Sequence, residues 1–381
     1  MPIFVRPTTR ALVGAFAQSR AYATVETPVI VAKPPLSPPP RLPTQESEPP
    51  SDIDRIVLDA LSRTPSGSRT SLPQLIDQYL QRSGRVLDQH LPYESRPSPS
   101  RRADFASVTH HAQDPGAAKV HLIAHAAQEG DRHKVTLASG FAINGTGEQE
   151  GESLFITCAH TLEEIRWSPL LVLPSTPGST SPFSSPDLPG ARSSGSFVLS
   201  SSPNSTGTTL THPVTSVLSS LHRSDLLLLS ATSDIATSGS PLSKLTSFPV
   251  SPYPAHPGTP IRAHFHSATR PQLDGEDGEG WEPWVGGSWA KWVKGTVLGY
   301  RDFAGREAQP GTYDSLSHML FKPPPTAGSS GGPIIDEETG AVVGVMLGTR
   351  MDNRVEGLRG WGVPSESIFE MFNLPGLTLK R

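Results

Sequence analysis

From residue 117 onward the chain is written in short apolar runs separated by turn residues. The first series holds A-K-V-H-L-I-A-H, K-V-T-L-A-S-G-F-A-I-N-G, S-L-F-I-T-C-A-H, L-L-V-L-P, G-S-F-V-L-S and D-L-L-L-L-S. A Ser/Thr-rich joint near 232–246 leads to a second series: P-I-R-A-H-F-H, W-V-K-G-T-V-L-G-Y, H-M-L-F-K, G-G-P-I-I-D and A-V-V-G-V-M-L-G. Helical periodicity is almost absent from both, and the pair Asn144–Gly145 reads as a hairpin-type turn. Many short strands predict an all-β sandwich or barrel architecture, and two series predict two barrels. Residues 177–195 and 197–210, rich in Ser, Pro and Gly, read as an inserted surface loop.

Ahead of this region the apolar spacing changes to the helical one. In S-D-I-D-R-I-V-L-D-A-L-S-R, residues Ile53, Ile56, Val57, Ala60 and Leu61 share a face, with Ser51 and Asp54 spaced as a capping box. In S-L-P-Q-L-I-D-Q-Y-L-Q-R-S-G the stripe is Leu72, Leu75, Ile76, Tyr79 and Leu80, opened by Ser71 and closed by Gly84. These short helices, within 51–90, are expected to pack on the domain behind them rather than on a partner. Residues 23–50 and 91–116 read as linkers, the first extended because its proline run cannot form a helix or a central strand.

Composition sharpens this division. The 40 prolines collect in 27–50, 91–100, 174–203 and 248–260, so the remaining segments can still build a core. A net charge of −4 without a basic stripe leaves no footprint for nucleic acid. No apolar run approaches the roughly 18–20 residues of a membrane span, so no integral membrane segment is expected. With a single cysteine, Cys158, no intramolecular disulfide can form, which suits a reducing interior. The sequons at Asn144 and Asn204 are read as chance. The first 25 residues carry Arg6, Arg10 and Arg20 and no acid before Glu26, with apolar residues interleaved among Ser and Thr. That is the composition of a mitochondrial presequence, residues 1–22, with removal expected after Tyr22.

The stretch T-A-G-S-S-G-G-P at 326–333 supplies candidate chemistry. Acyl transfer needs an exposed hydroxyl, a base for its proton and N–H donors for the oxyanion. A tight turn at Gly328 aims its own N–H and that of Ser330 at one point beside the Ser330 hydroxyl. I-T-C-A-H supplies a histidine, His160, at the end of a buried strand. H-R-S-D-L-L-L-L supplies a carboxylate, Asp225, shielded by apolar neighbours.

T-C-A-H, D-L-L-L-L and G-S-S-G-G-P, in that order, resemble the trypsin/chymotrypsin clan of serine peptidases. The resemblance is closest to the intracellular HtrA-like branch, whose strand before the histidine is similar to S-G-F-A-I and whose I-P-S segment is similar to G-W-G-V-P-S at 360–365. Covering roughly 117–372, it implies two six-stranded β-barrels, residues 117–235 with His160 and Asp225 and residues 236–372 with Ser330, then a tail at 373–381. By the same resemblance His160 is general base, Asp225 holds its tautomer, Ser330 attacks, and Gly328 and Ser330 form the oxyanion hole. Polypeptides are the implied substrates, and no metal ion or organic cofactor is expected.

The substrate pocket implied by this resemblance has its floor at Pro324, six before Ser330, and its walls at V-M-L-G (with Met346) and at Gly360 and Gly362. No carboxylate lies in these segments, so a small-to-medium apolar residue is expected before the scissile bond. Two departures from the family matter. Ser329 stands where secreted members carry an aspartate, so activation by an N-terminal cleavage is not expected. The sequence after 372 leaves no room for a PDZ domain. Cys158 is read as a small buried hydrophobe, the tryptophans of 281–292 as packing, and the acidic loop 274–280 as solvated. His110, His111, His121, His125 and His133 show no metal-ligand spacing. The expectation is a mitochondrial serine endopeptidase, in the matrix or the intermembrane space, serving protein processing or quality control. The competing expectation is a peptide-binding barrel without catalysis.

Overall fold

The computed structural model describes residues 49–65, 67, 69–94, 103, 105, 119–145, 152–171, 192–201, 209–232, 246–271, 279–353 and 357–374. The expected presequence, nearly all of linker 23–50, most of the acidic loop and the end of the tail lie outside these residues. Helices α1 (Asp52–Arg63) and α2 (Leu72–Gln81) form where the stripes predict them. Ser51 Oγ accepts from the Asp54 N–H at 3.2 Å, and Asp54 Oδ2 accepts from the Ser51 N–H at 3.1 Å. The first turn thereby satisfies N–H groups that the helix ladder cannot reach. Beyond α2, Gly84 turns the chain at φ 67°, and its N–H meets the Ser220 carbonyl at 2.8 Å.

Strand β1 (Leu87–His90) comes next, and then the first barrel. Strands β2 (Val120–Glu129), β3 (Arg132–Ile143), β4 (Glu152–Cys158), β5 (Arg192–Ser201), β6 (Thr209–Leu221) and β7 (Leu226–Thr232) close in the order β2-β3-β4-β7-β6-β5. A short helix, α3 (His160–Arg166), follows β4. The second barrel closes as β8 (Pro260–Ser267), β10 (Trp289–Arg301), β12 (His318–Lys322), β15 (Gly357–Pro364), β14 (Val342–Asn353) and β13 (Pro333–Asp336). Closure follows because β8 pairs with both β10 and β13. Two-residue strands β9 (Glu282–Pro283) and β11 (Glu307–Ala308) flank β10. Helix α4 (Glu366–Phe369) leads to β16 (Phe372–Asn373), which pairs in parallel with β1. The all-β architecture with two six-stranded barrels is as predicted.

Three boundaries differ from the sequence reading. Leu170 and Leu171 of L-L-V-L-P sit in a turn after α3, with Leu170 buried beneath that helix. The strand expected there is supplied by β6. The expected insertion 177–210 contains all of β5 and the start of β6. Ser196 and Ser200 do not mark a loop, because they bond across the sheet: Ser196 Oγ to His125 Nδ1 at 2.7 Å and Ser200 Oγ to His212 Nε2 at 3.1 Å. Linker 91–116 is partly core, with Leu91 and Ala103 buried and Phe105 edge-on to Trp292 at 5.2 Å. The Asn144–Gly145 pair does open the connection of an antiparallel hairpin, β3 to β4, though one longer than two residues, since β3 ends at Ile143 and β4 begins at Glu152.

Alternate residues of the first-barrel strands fall into two apolar clusters. One packs with Leu72, Leu75 and Ile76 of α2 and Leu162 and Ile165 of α3. The other includes α1 and residues of the second barrel such as Val285, Ile335 and Val342. Ile53 of α1 lies against Gly286, where an added Cβ would fall 2.9 Å from Ile53 Cγ1. Helix α1 thus touches both barrels. The tryptophans pack as expected, with Trp284 and Trp292 at 4.9 and 5.0 Å from the His264 ring.

Burial holds three histidines neutral: His125 and His266 are pushed down to about 4 and His264 to about 3. Their folded values lie below the unfolded 6.5, so the unfolded state binds more protons as pH falls. Stability should therefore be full above pH 6.5 and decline below it, by about 1.4 kcal/mol per pH unit for each histidine. Thermal midpoints should stay level from pH 7.5 to 6.5 and fall from there to pH 5. His264→Phe should flatten that slope; an unchanged slope would contradict the account.

Candidate active site

The turn into β7 places Asp225 in the left-handed region at φ 53°, unique among the described non-glycine residues. Aspartate tolerates that conformation because its short polar side chain bonds locally. Its Oδ1 accepts from the N–H groups of Ala159 at 2.9 Å and His160 at 2.7 Å. Its Oδ2 lies 2.6 Å from His160 Nδ1. A carboxylate can only accept here, so Nδ1 carries a proton, and Nε2 is an acceptor when the ring is neutral. The imidazole is held well above the ordinary histidine value, first by the Asp225 hydrogen bond and next by the Cys158 sulfur, against the effect of burial. Cys158 Sγ stands 3.7 Å from His160 Nε2. The cysteine is fully buried, in line with its reading as a small hydrophobe, but it also touches the histidine's acceptor nitrogen.

The loop of the second barrel meets these residues through its glycines. Gly328 and Gly331 have φ of 83° and 84°, values that residues with a side chain rarely adopt. A Cβ at Gly331 would collide with the Ser139 carbonyl and Thr157 Oγ1 and would lie 2.8 Å from the Cys158 nitrogen. A Cβ at Gly332 would fall 2.8 Å from Met346 Cε. The loop is bonded to β3 by the Ser139 N–H, which donates to the Ser330 carbonyl at 2.8 Å, and by Ser139 Oγ, which donates to the Gly328 carbonyl at 3.0 Å. Thr157 Oγ1 in turn donates to the Ser139 carbonyl at 2.7 Å, linking β3 to β4, the strand that leads into His160.

Ser330 is partly exposed and its hydroxyl donates to the Leu347 carbonyl at 2.9 Å. No acceptor among the described residues takes the N–H of Gly328 or of Ser330. Sequence reasoning missed Ser139, Thr157 and Leu347. The first two lay inside S-G-F-A-I and I-T-C-A-H, motifs noted for other members, whereas Leu347 acts through its carbonyl and leaves no side-chain signal.

The expected substrate pocket needs correction. Pro324 is exposed while Pro325 is buried, so Pro324 is not a floor. Met346 is fully buried in the second-barrel core. Gly360 lies under the Phe321 ring, three of whose carbons would come within 2.5–2.7 Å of an added Cβ, and a Cβ at Gly362 would fall 2.6 Å from the Val345 carbonyl oxygen. These glycines admit close packing of neighbours rather than leaving open walls.

A family model described as a trypsin-like peptidase domain matches residues 138–345, more than half of the chain. The chain belongs to the trypsin-like peptidase family. Membership supports a general protease function for this trypsin-like chain and implies polypeptides as substrate class. A comparison with curated proteins finds no match. Among solved structures it is similar to the MamO protease domain of Magnetospirillum magneticum in its apo form, at 15% identity, covering 65% of this chain and 93% of that one with TM-score 0.35. It is similar to Rv3671c of M. tuberculosis H37Rv, a serine-to-alanine variant in an inactive form, at 13% identity, 74% and 94% coverage and TM-score 0.34. It is also similar to the thermostable serine protease AL20 from an extremophilic microorganism, at 12% identity, 66% and 94% coverage and TM-score 0.36. Among the described residues no helix is long and apolar enough to cross a membrane.

The two neighbours of His160 can be separated by titration. Ring resonances of His160 should show a midpoint above 6.5. Asp225→Asn, which removes the larger cause, should lower it most, and Cys158→Ala should lower it less. A midpoint that ignores Asp225→Asn would contradict the assigned cause.

Proposed function

We propose that the protein is a serine endopeptidase working through an acyl-enzyme, with Ser330, His160 and Asp225 as its triad. The observation that carries this reading is the Asp225 carboxylate, which binds His160 Nδ1 at 2.6 Å while its other oxygen accepts two backbone N–H groups. Such a carboxylate fixes the tautomer and stabilises the imidazolium that forms during reaction. Ser330 Oγ attacks the substrate carbonyl carbon as His160 Nε2 takes its proton. The oxyanion then accepts from the N–H groups of Gly328 and Ser330. Collapse expels the amine, which receives the proton from His160, and water resolves the ester by the same steps in reverse roles. For this, the Ser330 hydroxyl leaves the Leu347 carbonyl and turns to His160; catalytic hydrogen bonds commonly tighten only with substrate present.

A second reading, a peptide-binding barrel without catalysis, is favoured by two contacts: Ser330 on Leu347 and Cys158 on His160 Nε2. A fluorophosphonate probe separates the two, since an assembled triad reacts at Ser330 and a bare turn serine does not. Ser330→Ala should abolish labelling and lower turnover by several orders of magnitude, with little further loss on adding His160→Ala. Multiplicative losses would overturn the triad.

For specificity, segments 322–327, 345–348 and 360–363 carry no carboxylate. A buried Lys or Arg side chain would be left unpaired, at several kcal/mol. The reading is therefore a small-to-medium apolar residue (Val, Leu, Ala, Met) before the cut. A dominant Arg or Lys signal in peptide-library profiling would refute it. The arginine-bearing, acid-free N-terminus supports action in the mitochondrion, in protein processing or quality control. A reporter carrying residues 1–40 should enter mitochondria and should fail to do so once Arg6, Arg10 and Arg20 become Glu. A wild-type fusion that stays cytosolic ends the claim.

A further inference from the structure

Strand β8 has partners of unequal length. On one edge β10 follows it as far as the pair Trp289–Ser267. On the other, β13 stops at the pair Ile334–Ala263. Beyond Ala263 the polar groups of β8 on that side meet no strand, and an unpaired backbone group buried from water is costly. His266 nevertheless has both groups satisfied. Its N–H donates to Ser329 Oγ at 2.9 Å, and its carbonyl accepts from Thr326 Oγ1 at 2.6 Å. The two hydroxyls lie 2.9 Å apart.

The proton positions follow. Thr326 spends its proton on the His266 carbonyl, so in the Ser329–Thr326 contact the serine must donate. The chain runs from the His266 N–H to Ser329 Oγ, on to Thr326 Oγ1, and back to the His266 carbonyl. Two side chains three residues apart thus replace one residue of a β-ladder. Ser329 is fully buried, and its N–H donates to the Thr326 carbonyl at 3.2 Å, closing the turn between them. Inside that turn lies Gly328. Its missing side chain is the space filled by the His266 ring, since an added Cβ would collide with His266 Nδ1.

We propose that Ser329 and Thr326 are positioning residues that clamp residues 326–330 onto β8 at His266, holding the N–H groups of Gly328 and Ser330 ready for the oxyanion. The inference rests on the peptidase reading above for its effect on catalysis, but the clamp is a property of the loop itself. It gives an uncharged means of ordering this loop, with no new chain end required. Neither residue touches substrate; both act through the backbone between them.

The test compares wild type with Ser329→Ala, Thr326→Val and Thr326→Ser. With the best peptide from library profiling, Ser329→Ala and Thr326→Val should lower kcat by roughly 10–100-fold, a fraction of what losing an oxyanion donor costs. Affinity for a peptide boronic acid, which mimics the tetrahedral state, should fall in step with kcat, while KM stays near its wild-type value. Thr326→Ser, which keeps the hydroxyl, should restore both. A loss of thermal stability with kcat unchanged well below the midpoint would reduce the pair to ordinary packing and overturn the proposal. A change confined to KM would overturn it as well. If Ser329→Ala does not fold, Thr326→Val carries the same readouts. If the wild-type chain takes no fluorophosphonate, the peptidase reading fails, and hydrogen exchange judges the clamp alone. Faster exchange across 326–332 in Thr326→Val than in wild type then supports it, and identical exchange overturns it.

Discussion

The contact on which the rest of the site depends lies at Gly331, where a loop of the second barrel is pressed into strands β3 and β4 of the first. Backbone and side-chain atoms of Ser139, Thr157 and Cys158 occupy the space a side chain would need. With no Cβ in the way, the Ser330 carbonyl comes within 2.8 Å of the Ser139 N–H. The same β4 backbone runs on through Ala159 to His160. Two barrels with separate ladders are thereby held at one backbone-to-backbone contact, and the serine of one is fixed relative to the histidine of the other. Any residue but glycine would push the loop away, because the neighbours on that side are mostly backbone, which cannot rotate aside.

Burial acts in opposite directions on the histidines of this chain. His125, His264 and His266 sit among apolar and aromatic groups and are held neutral. His160 is driven the other way, because a carboxylate has been brought to its Nδ1. That carboxylate is itself fixed by two backbone N–H groups and by the left-handed turn at Asp225. The same residue type thus fills core space in three places and carries exchangeable charge in a fourth, according to whether an anion stands beside it.

The N-terminal region is built into the fold. Helix α1 meets strands of the first barrel and the turn at Gly286 in the second, while β1 pairs with β16 near the other end of the described chain. These contacts close over both barrels, so residues 51–91 stabilise the same interface that the Gly331 contact crosses. This accounts for an apolar stripe on a helix of only twelve residues, which would be marginal by itself.

Local chemistry carried much of this in the sequence alone. The helices at 52–63 and 72–81 were legible because caps and 3.6-residue spacing are properties of neighbouring residues. The all-β character was legible from the recurrence of short apolar runs, and G-S-S-G-G-P, T-C-A-H and D-L-L-L-L mark their own turn and strand contexts. What failed were inferences that depend on distant partners. Ser196 and Ser200 look like loop residues until His125 and His212 arrive from across the sheet to bond them. Gly360 and Gly362 look like open pocket walls until Phe321 and Val345 fill the space. The Ser330–Leu347 bond, the sulfur beside His160 Nε2 and the docking of Ser329 and Thr326 on His266 likewise join residues that chain neighbourhood leaves unrelated. Sequence fixes which groups each segment offers; which of them meet is decided only when two barrels close and press together, because distance along the chain does not set distance in space.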